Sequence, residues 1–200
     1  MTEWVKYVSI IYNNLLFMSL IIGLIGQKLS GKDTVANYLV NRYGAVSIAS
    51  SQLLDETLQV LGLPKSRENE TSLAVALRTA FGENILNSAN LNRLRNINPK
   101  IGLVNGIRRP QELIQSKQEH VRTIYISAPA EVRYERYQFR QEKKDDGVLS
   151  FEDFLRQDTE SPTEKDIVTI GEQAEFRINN NSDLQTLYTE IDRIIEQLLA

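Results

Sequence analysis

Leu20-Ile21-Ile22-Gly23-Leu24-Ile25-Gly26-Gln27-Lys28-Leu29-Ser30-Gly31-Lys32-Asp33-Thr34 decides how the rest of the chain is read. An apolar run of strand type ends in Gly26. Four residues intervene, and Gly31 and Lys32 then head a segment in which Val35, Ala36, Leu39 and Val40 recur at helical spacing. This is nearly the phosphate-binding pattern G-x-x-x-x-G-K-[ST], with the strand before it and the helix after it that the pattern requires. A loop of this kind turns backbone N–H groups toward phosphate oxygens. Its glycines permit close approach, the helix N-terminus adds partial positive charge, and Lys32 reaches the outer phosphates. The residues from Gly26 through Gln27, Lys28, Leu29, Ser30, Gly31, Lys32 and Asp33 to Thr34 are therefore the candidate nucleotide site. Asp33 stands where a Ser or Thr hydroxyl normally ligates magnesium, and Thr34 follows one place late. The competing description, a glycine-rich turn with no ligand, explains fewer of these coincidences.

Outward from the loop, strand and helix patterns alternate. Expected strands cover 45–49, 101–104, 121–127 and, weakly, 174–178. Gly44 stops the first helix, and Ser50-Ser51 is expected to cap a second that runs to Leu61. Residues 65–72 read as a polar surface connection, with helical pattern returning at Leu73, breaking at Gly82 and resuming from Ile85 to Leu94. Pro110 opens a further helix, and another spans 130 to about 142. Ser150 with Asp153 suggests a capped short helix over 151–157, and Pro162 opens a stretch through Ile170. An amphipathic helix closes the chain from Leu184 to Leu198. Alternation of this kind implies parallel pairing with right-handed crossovers, hence a three-layer α/β fold with a five-stranded parallel sheet. Its ligand belongs at the carboxyl ends of the strands. That rim is expected to hold 26–32, Ser50-Ser51, Asn105 to Arg109 and Ser127-Ala128.

Composition narrows the chemistry. Two hundred residues, 42% hydrophobic and 24% charged, suit one domain with a sizeable core, read as 18–200 with a small lid at about 133–165. A formal charge of −3 argues against a nucleic-acid polymer as partner, so an anionic ligand must meet a local basic cluster. With no cysteine, disulfides and thiolate-bound metals are excluded, and a cytoplasmic location is compatible. His120 is the only histidine and lies in a polar stretch, where a solvated turn residue is the simpler description. Residues 1–17 are apolar but interrupted by Asn13-Asn14. They suit neither a spanning helix nor a signal peptide, and are read as an extension from an upstream start codon or as a loosely packed arm. No membrane partner is expected, and the oligomeric state is left open.

After the fourth strand, Arg133, Arg136, Arg140, Lys143 and Lys144 form a basic cluster. Arg136 and Arg140, four apart, share a helical face. Charge pattern alone favours a solvated face paired with Glu131, Glu135 and Glu142. Beyond a phosphate loop in a parallel sheet, the same pair suits a moving phosphoryl group, whose oxygens an arginine fork meets two at a time.

These residues resemble the P-loop nucleotide kinases that act on small acceptors, namely nucleoside monophosphate kinases and dephospho-coenzyme A kinases, over about residues 20–199. Ser30 to Thr34 is similar to the loop of phage deoxynucleoside monophosphate kinases and animal phosphomevalonate kinases, where Asp also takes the Ser/Thr place. Ser47 to Leu54 resembles the entrance to the acceptor helix of adenylate kinases, although Gln52 and Asp55 replace the Asp and Arg found there. Asn105-Gly106-Ile107-Arg108-Arg109-Pro110 resembles the turn that grips the acceptor phosphate, and Glu131 to Arg140 the lid helix. Phe81-Gly82, and Ala174 to Asn180 followed by a helix, look most like dephospho-coenzyme A kinases. The resemblance implies ATP and Mg2+, with Lys32, Arg136 and Arg140 in catalysis and Arg108 holding a small nucleotide-like acceptor. Arg78 and Ser50 are further acceptor candidates. Asn105 departs from the resembled families, which carry an Asp there to organise magnesium, and Asp33 is the candidate to replace that carboxylate as metal ligand. Asp55 is a candidate base, although a solvent-facing helix carboxylate describes it as well. The alternative is a nucleotide-binding protein with impaired turnover, which Asn105, Asp33 and Gln52 favour. A GTPase or motor is disfavoured, since no Asn-Lys-x-Asp signature is present and neither Asn105 nor Ser127 is an Asp at a strand end.

Overall fold

A computed structural model of the chain describes residues 19–139, 149–161 and 164–200. Five strands form one parallel sheet: β1 (Leu20–Ile25), β2 (Val46–Ala49), β3 (Ile101–Asn105), β4 (Arg122–Ser127) and β5 (Phe176–Asn179). Their order is β2-β3-β1-β4-β5. The chain thus leaves β1 toward one edge and later returns to its other side, so a crevice opens at the carboxyl end of β1, between β3 and β4.

Alternation along β1 sends Ile22 and Leu24 to one face and Ile25 to the other. On the first face they meet Val35 and Leu39 of helix α1 (Lys32–Tyr43) and Ile191 and Ile195 of the closing helix, all fully buried. On the second face, Ile25, Val104 and Tyr125 meet Leu91 and Leu94 of one helix and Ile167 and Ile170 of another. Each such buried side chain contributes roughly 1.5–3 kcal/mol, an upper figure because denatured chains already bury part of this surface. Three layers follow, as the alternating pattern implies.

The remaining helices are α2 (Ser50–Val60), α3 (Arg67–Phe81), α4 (Ile85–Ile97), α5 (Pro110–Gln118), α6 (Ala130–Phe139, as far as it is described), α7 (Phe151–Glu160), α8 (Ile167–Gly171) and α9 (Leu184–Leu199). Three sequence expectations need correction. Residues 67–72 are not a connection. Ser66 accepts the Asn69 N–H at 3.2 Å and starts α3 six residues before its apolar stripe. Ser50 and Ser51 do not cap α2 either: Ala49 is the cap residue, and the Gln52 side chain accepts its N–H at 3.2 Å. The helical stretch before β5 is the single short α8, entered through a turn at 164–166, and Pro162 lies outside the described residues. Residues 1–18, Arg140, Lys143 and Lys144 lie outside them as well. Ser150 caps α7 as expected, accepting the Asp153 N–H at 3.1 Å, and His120 is an exposed turn residue with φ 57°. Among the described residues, no helix is long and apolar enough to cross a membrane.

Candidate active site

The turn after β1 has the shape that its sequence calls for. Leu29 and Gly31 both adopt left-handed backbone, with φ 64° and 100°, and Gly31 is the N-cap of α1. The Ser30 N–H donates to Gln27 O at 3.1 Å, so the chain curls back before the helix begins. Two glycines are required by close approach. A Cβ on Gly26 would stand 2.7 Å from the Ile126 carbonyl oxygen, and one on Gly31 would stand 2.1 Å from Asn180 Nδ2. Asn180 is the clamp on this loop: its Nδ2 donates to Ser30 O at 2.9 Å, and its own N–H to Ser127 O at 2.7 Å.

A cleft of about 920 Å³ opens over the turn. Gln27, Lys28, Leu29, Gly31, Lys32, Asp33 and Thr34 form its floor, and Ser50, Arg78 and Arg108 line the wall made by α2, α3 and the turn after β3. The Lys32 side chain is only 11% exposed. Burial, the largest influence, pulls its pKa below the usual lysine value, and Arg108 adds to this, while Asp33 and Glu164 oppose it. An ammonium held in this condition gains from an arriving anion. On the wall, Arg78 (8% exposed) lies 3.5 Å from Glu112 (3% exposed). The same Glu112 carboxylate accepts the backbone N–H groups of Arg108 at 2.9 Å and Arg109 at 3.2 Å, so one buried anion orients Arg78 and the whole 105–109 turn. Burial chiefly raises the Glu112 pKa, against the pull of these partners. Arg108 itself pairs with Glu164.

The corner expected to hold metal is built by two residues far apart in sequence. Asn105 Nδ2 donates to Asp33 Oδ1 at 2.9 Å, and the Asp33 side chain is 52% exposed to the cleft. Asn105 Oδ1 is buried and has no hydrogen-bond partner among the described residues. An exposed carboxylate beside an orphaned amide oxygen is a hard-oxygen pair, and it fits magnesium, which takes one or two protein oxygens and keeps several waters.

No protein-family model matches the sequence. Among curated proteins the chain is similar to a UPF0200 protein of Thermococcus onnurineus (strain NA1), 22% identical over 187 residues that cover 90% of this chain and 99% of that one. Among solved structures it is similar to the shikimate kinase from Bacteroides thetaiotaomicron, with a TM-score of 0.59 at 16% identity over 90% of this chain and 99% of the other. It is also similar to the shikimate kinase from Acinetobacter baumannii in complex with shikimate (0.57, 19%, 93% and 96%) and to the dephospho-CoA kinase from Campylobacter jejuni (0.55, 17%, 90% and 98%). The fold is that of the P-loop kinases.

Within this P-loop kinase fold most of the sequence-derived candidates converge on the cleft. Gly26 and Ser30 lie beneath its floor as support; Ser30 is fully buried. Ser50 reaches the cleft and accepts a bond from Asn90 Nδ2 at 3.0 Å. Arg136 also lines it, but its guanidinium is already engaged, donating to Leu29 O and Asn180 O at 3.1 Å each, so it braces the P-loop from the side of α6. Lys28 stacks its ammonium over the Tyr137 ring of the same helix, 5.3 Å from the centroid. Arg140 lies outside the described residues. Ser127-Ala128 does not line the cleft; its carbonyls hold Asn180 and Arg133 instead. Arg133 is buried behind the site, bidentate to Asp158 at 3.0 and 2.6 Å, and ties α6 to α7. Asp55 also falls outside the cleft lining, and instead of facing solvent fully it turns Oδ1 inward, buried and without a hydrogen-bond partner among the described residues.

Sequence reasoning missed Asn180 and Glu164 as parts of the cleft lining, Arg67 as part of its wall, and Glu112 as the buried carboxylate behind it that holds Arg78 and the backbone of Arg108 and Arg109. Asn180 carried a usable signal, because it follows β5 within a stretch singled out by resemblance. Glu164 carried none.

Proposed function

We propose that this chain is an ATP-dependent kinase that moves the γ-phosphoryl group to a small nucleotide-like acceptor: a nucleoside or deoxynucleoside monophosphate, or dephospho-coenzyme A. The observation that carries this reading is the P-loop turn with Gly31 in left-handed backbone and a buried Lys32, which line one cleft together with Arg78 and Arg108. The loop amides and Lys32 would receive the β- and γ-phosphates, and the two arginines the acceptor's anion, so that two like-charged groups are brought together by neutralisation. Leu54, Ala74 and Leu86 supply apolar surface beside the arginines, suited to the body of such an acceptor. Arg136, held on the carbonyls of Leu29 in the loop and Asn180 after β5, would fix the cradle and sit beside the transferring group, and the α6–α7 pair would shield it from water. Asp33 and Asn105 would hold Mg2+, directly or through water. When bound, the ion would neutralise charge on the phosphate oxygens. The named kinases among the similar structures, which include shikimate kinases, support transfer to a small molecule and leave the acceptor open. A phosphate-transfer screen with ATP and Mg2+ over nucleoside monophosphates, deoxynucleotides, dephospho-coenzyme A and shikimate tests the proposal; turnover with none of them refutes it.

One observation favours a second reading, a nucleotide-binding protein with impaired turnover. Asn105, at a position where the resembled families carry a carboxylate, spends its amide on Asp33. ATP binding without transfer across the same panel would support it.

A further inference from the structure

Glu164 belongs to no motif, yet its carboxylate is set inside the P-loop cleft and is only 7% exposed. Oε2 accepts the Lys28 backbone N–H at 3.1 Å, and Oε1 pairs with the Arg108 guanidinium. The turn that delivers it is anchored. The Glu164 N–H donates to Ser161 O at 3.0 Å, the Ile167 N–H donates to Glu164 O at 3.0 Å, and Ile167 and Ile170 of α8 are fully buried in the core. The two donors serve different parts of the site. Lys28 belongs to the loop that receives the nucleotide's phosphates, and Arg108 to the turn that receives the acceptor's anion. A carboxylate that bridges a loop amide and a guanidinium gives both what a pair of phosphate oxygens would give them.

We propose that Glu164 is an internal stand-in for phosphate: it competes with the nucleotide for the Lys28 amide, and its displacement hands Arg108 to the acceptor. The inference rests on the kinase reading and adds a regulatory step to it. Nucleotide and acceptor binding become coupled, because the donor phosphate that removes Glu164 from the loop also ends the pairing of Glu164 with Arg108. Apparent nucleotide affinity is then lowered by the fraction of protein in which Glu164 holds the loop. A purely structural brace has the opposite sign: if Glu164 shaped the loop for nucleotide, its loss would weaken binding.

The experiment measures the Kd of a fluorescent ADP analogue in EDTA, without metal, for the wild-type chain, Glu164→Gln and Glu164→Ala. Removing the carboxylate should tighten binding, by roughly tenfold for the alanine variant. Glutamine should tighten it less, because its amide oxygen still accepts the Lys28 N–H but cannot neutralise Arg108. In nucleotide-free protein the Lys28 amide should exchange with solvent faster in Glu164→Ala than in wild type, and this difference should vanish at saturating ADP. Unchanged or weaker binding in the variants, with wild type binding normally, overturns the stand-in role and leaves the kinase reading intact. If wild type binds no ADP, both fall. Should the alanine variant not fold, as judged by its melting curve, the isosteric glutamine variant decides by the same sign.

Discussion

Gly31→Ala is the perturbation that probes the P-loop most directly. Gly31 sits at φ 100°, where a side chain costs roughly 1–2 kcal/mol. The new Cβ would lie 2.1 Å from Asn180 Nδ2, so Asn180 must move and give up its 2.9 Å bond to Ser30 O. Losing a buried hydrogen bond costs about 1–3 kcal/mol, which brings the expected loss to roughly 2–5 kcal/mol. That is a large share of a typical domain's stability of about 5–15 kcal/mol, and urea unfolding at constant m-value reads it as a shifted midpoint. Asn180→Ala alone should lose the bond only. In the double variant the added methyl meets no amide, so the bond is lost once and the backbone strain remains. The two substitutions should therefore be less than additive by about 1–3 kcal/mol. Additivity within about 0.5 kcal/mol, or a Gly31→Ala chain as stable as wild type, would refute the claim that this glycine is required by both its backbone and Asn180.

Lys32→Met should lower phosphoryl transfer on the order of 10²–10³-fold. Because burial lowers the folded-state pKa of Lys32 below its unfolded value of 10.5, the folded protein holds that proton less tightly, and the group's contribution to stability rises with pH across that interval. Nucleotide-free Lys32→Met should accordingly be at least as stable as wild type at pH 7, with its advantage shrinking toward pH 10.5; urea curves at both ends check the sign. Asp33→Ala should abolish magnesium-dependent transfer, and adding Asn105→Asp should restore part of it; a rate within a few-fold of wild type for Asp33→Ala would show that its carboxylate does not replace the one missing at position 105. Arg133→Ala should cost about 3–5 kcal/mol, since it leaves the Asp158 carboxylate without its bidentate partner in a mostly buried position; a loss under about 1 kcal/mol in urea unfolding would contradict this.

What the sequence alone determined is local. A short continuous apolar run ending in Gly26 marked β1, and apolar residues three and four apart marked α1 and α9, because a strand buried on both faces is apolar throughout and a helix repeats its buried face every 3.6 residues wherever they sit. The loop between β1 and α1 was legible for the same reason: its glycines, lysine and flanking elements are contiguous. The start of α3 was hidden because Arg67, Glu70 and Thr71 face the cleft, where a polar first turn looks like a surface connection. The pairings across the strand ends were hidden for a deeper reason. Asn105 meets Asp33 across 72 residues, Lys28 meets Glu164 across 136, and Asn180 meets Ser30 across 150. Alternating strands and helices permit several strand orders. The observed order β2-β3-β1-β4-β5 sets β3 beside β1 so that Asn105 reaches Asp33, and places β5 beside β4 so that Asn180 reaches the loop. A polar side chain at a strand end has no intrinsic preference for its partner, so the choice waits for the neighbours that tertiary packing provides.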